Sequence, residues 1–138
     1  MTEKVIDSSA LAAFLLKEEE WKRTREILRE KPYTLELAIK EVTNSIWKRV
    51  KLLRDIDESK ALTILEDLLK LRRTALRIEP QDIYLVQALK IALKNDVTIY
   101  DSLFIAQALA KKAILVTLDK KQAEIADKWG VRLIIMPE

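Results

Sequence analysis

Apolar residues along this chain fall into two alternating patterns, short unbroken runs and stripes that recur every three or four positions. The first run, around Val5 and Ile6, leads through Asp7, Ser8 and Ser9 into the apolar stretch Ala10 to Leu16. It reads as a strand, a helix entrance and a helix. Glu18 to Glu30 is strongly charged, with Trp21, Ile27 and Leu28 as its apolar contacts, and Pro32 ends it. From Leu35 to about Ile56 the spacing of Ala38, Val42, Ile46, Val50 and Leu53 predicts a long helix with one buried stripe. Glu41 precedes Val42 and is turned about 100° from the middle of that stripe, so it stands at the margin. A further helix, from about Glu58 to Thr74 and capped by Asp57, presents Leu62, Leu65, Leu68, Leu69 and Leu71. The two helices are expected to form a hairpin.

Leu76 to Ile78 predicts a short strand, and Pro80 is placed to open a helix from about Gln81 to Lys94. After the break at Asn95 and Asp96, Val97 to Tyr100 reads as a short extended segment, with Asp101 at the start of a helix reaching Lys112. Ala113 to Leu118 is the clearest strand. Asp119 follows it at capping-box spacing from Gln122, and the helix beyond runs to Trp129. Gly130 supplies a left-handed terminus before a last strand, Val131 to Ile135. Strands alternating with helices predict an α/β fold, a short, mostly parallel sheet between two helical layers. No repeat, low-complexity run or linker divides the chain, so residues 1–138 are expected to form a single domain. Right-handed crossovers put the ends of the first strand and of Ile114 to Leu118 on one edge of the sheet. Asp7 and Asp119 would face each other across the cleft there.

Composition narrows the chemistry. With no cysteine and no histidine among 138 residues, thiolate nucleophiles, Ser-His-Asp triads, His-ligated zinc and disulfides are excluded. A metal would have to be held by oxygen donors, which suits Mg²⁺ or Mn²⁺. With 49% hydrophobic and 34% charged residues the chain is neither disordered nor membrane-spanning. No secretory signal is evident, and the cytoplasm is the expected location. The abundant Lys, Arg and Glu, with two Asn and one Gly, resemble thermophile composition. Net charge is only +3, but Lys22, Arg23, Arg25, Arg29 and Lys31 form one basic cluster. Lys48, Arg49, Lys51 and Arg54 form a second, and Arg72, Arg73 and Arg77 a third. Each is either a solvated helix face or a contact for a phosphate backbone.

Taken one at a time, Asp7, Asp101 and Asp119 also read as N-caps, and Glu41 as an exposed helix acid. Together they change the reading. Carboxylates at close range raise one another's pKa and resist burial unless a cation neutralises them. A divalent ion does so, and it can also activate a water and stabilise a phosphoryl oxygen. A metal-dependent phosphodiesterase fits this composition better than any other catalytic plan.

Four segments carry a resemblance: VIDSSAL at the start, E-V-x-N-x-x-W from Glu41 to Trp47, T-I-Y-D-S-L-F-I-A-Q-A from Thr98 to Ala108, and L-V-T-L-D from Leu115 to Asp119. In order and spacing they resemble the motifs of PIN domains, most of all the small prokaryotic VapC-type toxins. The resemblance implies a three-layer α/β/α fold and a Mg²⁺- or Mn²⁺-dependent endoribonuclease. Its metal-binding and catalytic acids would be Asp7, Glu41, Asp101 and Asp119, with Thr117, Asn44 and Ser8 in support. It also implies an RNA substrate, a homodimer and a cognate antitoxin. Two other phosphate-handling plans fit less well. A haloacid-dehalogenase type would want an acid where Ser9 stands, and a receiver-like domain would want paired acids after the first strand. A single Gly excludes glycine-rich phosphate loops. A PIN-fold module that binds RNA or protein without cleaving, or an RNA-processing nuclease without an antitoxin, stays open as an alternative.

Overall fold

A computed structural model describes residues 2–135. Strands β1 (Lys4–Ile6), β2 (Tyr33–Leu35), β3 (Arg77–Glu79), β4 (Ile114–Thr117) and β5 (Leu133–Ile135) form one sheet in the order β3-β2-β1-β4-β5. Every neighbouring pair is parallel. Between them run helices α1 (Ser8–Leu15), α2 (Trp21–Leu28), α3 (Glu36–Lys51), α4 (Glu58–Thr74), α5 (Leu85–Asn95), α6 (Ile99–Lys111) and α7 (Lys120–Lys128). The α/β expectation holds, and the sheet is parallel throughout rather than mostly so.

Period-two alternation along the central strands divides the core in two. Val5 and Leu115, which sit opposite each other, face the layer of α5, α6 and α7, while Ile6 and Val116 face α1, α2, α3 and α4. Both faces are therefore covered, which is why these strands read as unbroken apolar runs. Among the described residues no helix is long and apolar enough to cross a membrane.

Several boundaries differ from those the sequence predicts. Strand β2 goes unrecognised in the pattern because it runs without a break into α3, so that Leu35, its last residue, reads as the first apolar position of the helix. The Thr34 hydroxyl, buried within it, donates to the Ile6 carbonyl at 2.6 Å and ties it to β1. Helix α3 stops at Lys51, and Leu53, assigned above to its buried stripe, is 67% exposed. On α4 the buried positions are Ile64 and Leu68, whereas Leu62 and Leu69 face outward. The helix expected from Gln81 begins as a 3₁₀ turn over Gln81–Tyr84. The segment Val97 to Tyr100 forms no strand: Thr98, itself extended, caps α6, which begins at Ile99. Its β-branched residues imitate a strand, but a hydroxyl able to accept from the Asp101 N–H makes Thr98 a helix start.

Two buried polar ties fix α6, the helix that carries Asp101. The Ser102 hydroxyl donates to the Ala88 carbonyl on α5 at 2.8 Å, and Gln107 Nε2 donates to the Thr34 carbonyl on β2 at 3.0 Å. Helix α6 is thus locked to both the neighbouring helix and the sheet.

Candidate active site

The four acids arrive from four elements at the carboxyl edge of the sheet. Asp7 directly follows β1, and Asp119 lies two residues beyond the adjacent strand β4. Asp101 is in the first turn of α6 and Glu41 in the second turn of α3. This edge, between strands whose connections leave in opposite directions, is where an open α/β sheet forms its crevice.

Asp7 is 2% exposed. One of its oxygens, Oδ1, accepts from the Ala10 N–H at 3.0 Å and from the Ser9 hydroxyl at 2.7 Å, and the Thr117 hydroxyl donates to the other. Thr117 in turn accepts from the Asp119 N–H at 2.9 Å, so a single hydroxyl joins two of the acids. Ser9 Oγ also accepts from the Leu118 N–H at 2.9 Å, which pins the segment after β4 to the start of α1. On the other side, the Ser8 hydroxyl donates to Glu41 Oε1 at 2.9 Å. Glu41 is half-buried and aimed at the cleft; the exposed-acid reading of it does not hold. Asn44, one turn further along α3, is exposed and makes no hydrogen bond to the acids among the described residues.

The capping readings are partly right. Asp7 and Asp119 do cap α1 and α7, accepting from Ala10 N and Gln122 N. Asp101 caps nothing, because Thr98 does. The predicted capping box closes on one side only. Asp119 Oδ1 accepts from Gln122 N at 3.1 Å, but the Gln122 amide turns away and donates to the Asp101 carbonyl at 2.8 Å. Gln122, 4% exposed, thereby links the entrances of α6 and α7. Ser9 and Gln122 are the site residues that the motifs did not single out. The capping-box spacing was the available signal for Gln122, and its side chain spends that signal on a different partner.

Charge repulsion runs through the group in a chain. Burial pushes the Asp7 carboxyl up to about 6; its three hydrogen bonds pull the other way, and the Asp119 charge adds to the rise. Asp101 is raised by burial and then by Asp119, against which Thr98 and Lys121 act. Glu41 is raised by burial and by Asp101, with Ser8 opposing. Asp7, Asp119, Asp101 and Glu41 are therefore successive neighbours, and Ser8 leads back from Glu41 to the residue beside Asp7. None of the ion pairs among the described residues includes any of the four.

This uncompensated charge has a stability consequence. A carboxyl whose folded pKa lies above its unfolded value binds its proton more tightly when folded. Its favourable contribution is full below about 4 and is lost as pH rises through about 6. For Asp7 the difference is on the order of 3 kcal/mol. Lowering the pH of metal-free protein from 7 to 5 should therefore raise the melting temperature of wild type relative to that of Asp7→Asn, whose amide cannot titrate. Parallel melting curves across that range would contradict the assigned burial of charge.

The oxygen-only donor set and the absence of a paired cation fit a hard divalent ion. Among the described residues no three acidic groups already converge on a single ion-sized point.

A model of the PIN domain family matches residues 4–128. Ribonuclease VapC3 of Pyrobaculum aerophilum is 36% identical over 124 residues, which span 87% of this chain and 92% of that protein. The crystal structure of PAE2754 from Pyrobaculum aerophilum aligns with a TM-score of 0.71 at 25% identity, covering 96% of this chain and 90% of that one. DNA-bound VapBC from Salmonella typhimurium aligns at 0.67 and 15% identity, covering 98% of each chain, a likeness of fold.

Proposed function

The chain belongs to the PIN domain family, and from that premise we propose that it is a divalent-metal-dependent endoribonuclease, a single domain over residues 1–138 and the toxin of a VapBC-type pair. The observation that carries this reading is the run of four neighbouring carboxylates at the carboxyl edge of the sheet, with Asp7, Glu41 and Asp101 raised by burial and by the acid next to each. Its relatives support it: one is a ribonuclease, and the fold recurs in VapBC. Asp7, Asp101 and Asp119, with Glu41, would hold Mg²⁺ or Mn²⁺. When bound, such an ion supplies charge stabilisation at a phosphoryl oxygen and lowers the pKa of a water.

The chain's own groups do the rest. Asp7, fixed by Ala10 N, Ser9 and Thr117, is the immobile anchor. Asp101 and Asp119 are only half-buried and face solvent at the mouth, where a phosphodiester enters. Glu41, steadied by Ser8 and already inclined to hold a proton, takes the proton of the attacking water. An oxygen–phosphorus bond forms in line as the bond to the 3′ oxygen breaks, and that oxygen takes a proton from solvent, leaving a 5′ phosphate and a 3′ hydroxyl.

A second copy of the chain and a cognate antitoxin complete the assembly. On α5, Val86, Leu89 and Leu93 form an exposed apolar stripe opposite the buried Ala88, Ile91 and Ala92, which supports self-association. A nuclease acting on RNA would work in the cytoplasm.

The test is cleavage of a generic single-stranded RNA by purified protein with Mn²⁺ or Mg²⁺, with and without EDTA. Cleavage is expected only with the metal. A folded protein that neither cuts RNA nor binds Mn²⁺ would leave a binding module in place of a nuclease.

A further inference from the structure

One face of α3 is accounted for neither by the core nor by the acid cluster. Lys40, Asn44, Trp47, Lys48 and Lys51 are all exposed and, at 100° per residue, fall on one side of the helix. Glu41 lies at the margin of that side, so the face is continuous with the cleft. Trp47 is 51% exposed. Phe14 and three cations surround the Trp21 ring, and Lys94 lies over Trp129, but among the described residues no ring or cation covers Trp47. Lys48 and Lys51 enter no ion pair among the described residues. Lysines in a last turn suit the helix dipole, but that leaves an open indole unexplained.

We propose that Trp47 is a stacking platform for an RNA base next to the scissile phosphate, with Lys40, Lys48 and Lys51 holding the flanking backbone. Six residues separate Glu41 from Trp47, about 9 Å along the helix axis, the reach of a neighbouring nucleotide. An open aromatic face flanked by lysines is the arrangement that binds single strands without reading sequence. Of its two acids, Glu36 in the first turn is paired with Arg72 and Glu41 stands at the margin, so the stretch around Trp47 carries positive charge that matches a polyanion. A protein-docking tryptophan would want apolar neighbours, whereas one turn away on this face stand Asn44 and Lys51. This inference rests on the ribonuclease reading and names how its substrate is held.

The experiment measures binding of a fluorescently labelled single-stranded RNA by anisotropy in EDTA over a range of salt, together with kcat and KM in Mn²⁺. The proteins are wild type, Trp47→Ala, Trp47→Phe and the double variant Lys48→Ala with Lys51→Ala. Trp47→Ala should weaken RNA binding roughly five- to hundredfold, raise KM more than it lowers kcat, and leave the salt slope unchanged. Trp47→Phe should recover most of the loss. The double lysine variant should instead flatten the slope of log affinity against log salt by about 1.4. Wild-type binding and wild-type KM in Trp47→Ala would overturn the inference while leaving the nuclease reading intact. So would a variant that handles RNA normally yet no longer captures a purified antitoxin. RNA bound through Trp47 by a protein that never cuts would sink the nuclease reading and leave the platform standing.

Discussion

Asp119→Asn is expected to fold as wild type and to cleave RNA roughly a hundred- to a thousandfold more slowly, the cost typical of removing one preorganised charge-stabilising group. The substitution separates the two roles of this residue. Asparagine caps helices about as well as aspartate, so α7 keeps the bond from Gln122 N to the side-chain oxygen. Only the charge leaves. If capping were the whole purpose of Asp119, the variant would retain its activity, and the four-acid site would lose a member. Cleavage rates and melting temperatures on the same preparations decide it: a large fall in rate at constant melting temperature is the expected outcome, and unchanged rates would remove Asp119 from the site.

Thr117→Val should have the second largest effect, and it acts on stability as well as rate. Valine has the shape of threonine but no hydroxyl. At this fully buried position the hydroxyl accepts from the Asp119 N–H and donates to Asp7. Valine strands both groups, at a cost of about 1–3 kcal/mol for a buried partner left unsatisfied, a fall of several degrees in melting temperature. Asp7 also loses one of the hydrogen bonds that oppose the burial-driven rise of its pKa, so metal affinity near neutral pH should drop. Thr117→Ser keeps the hydroxyl and should restore most of both. A valine variant as stable and as tight for Mn²⁺ as wild type would mean that the Asp7–Thr117–Asp119 link carries no energy.

What could be read in advance depended on length and on period. Helices α3, α4 and α6 and strand β4 are long or apolar enough for their patterns to show, and the alternation of elements implies the layered α/β fold. Strand β2 could not be read, since it runs straight into α3 and lends Leu35 to the helical stripe, and the β-branched run at Val97 to Ile99 spells strand while its hydroxyl makes a helix start. The positions of Asp7 and Asp119 followed from where strands end, and their capping and site roles turned out to share the same oxygens. For Glu41, the helical margin taken alone favoured an exposed acid; only tertiary packing brings Ser8 within 2.9 Å. The Gln122 amide illustrates the limit most clearly, because spacing predicts its backbone bond but not the turn of its side chain to the Asp101 carbonyl across 21 residues.

The pairing of β1 with β4 joins residues about 110 positions apart, with Lys4 opposite Ile114 and Ile6 opposite Val116. Such distant contacts form late, because loop closure must precede them. On a ribosome this sets an order of events. Until the stretch through Gln122 has left the exit tunnel, Asp7 has no Thr117 beside it and the cleft has only one wall. A nascent chain held at that stage therefore lacks the assembled cleft that attack on its own messenger would require.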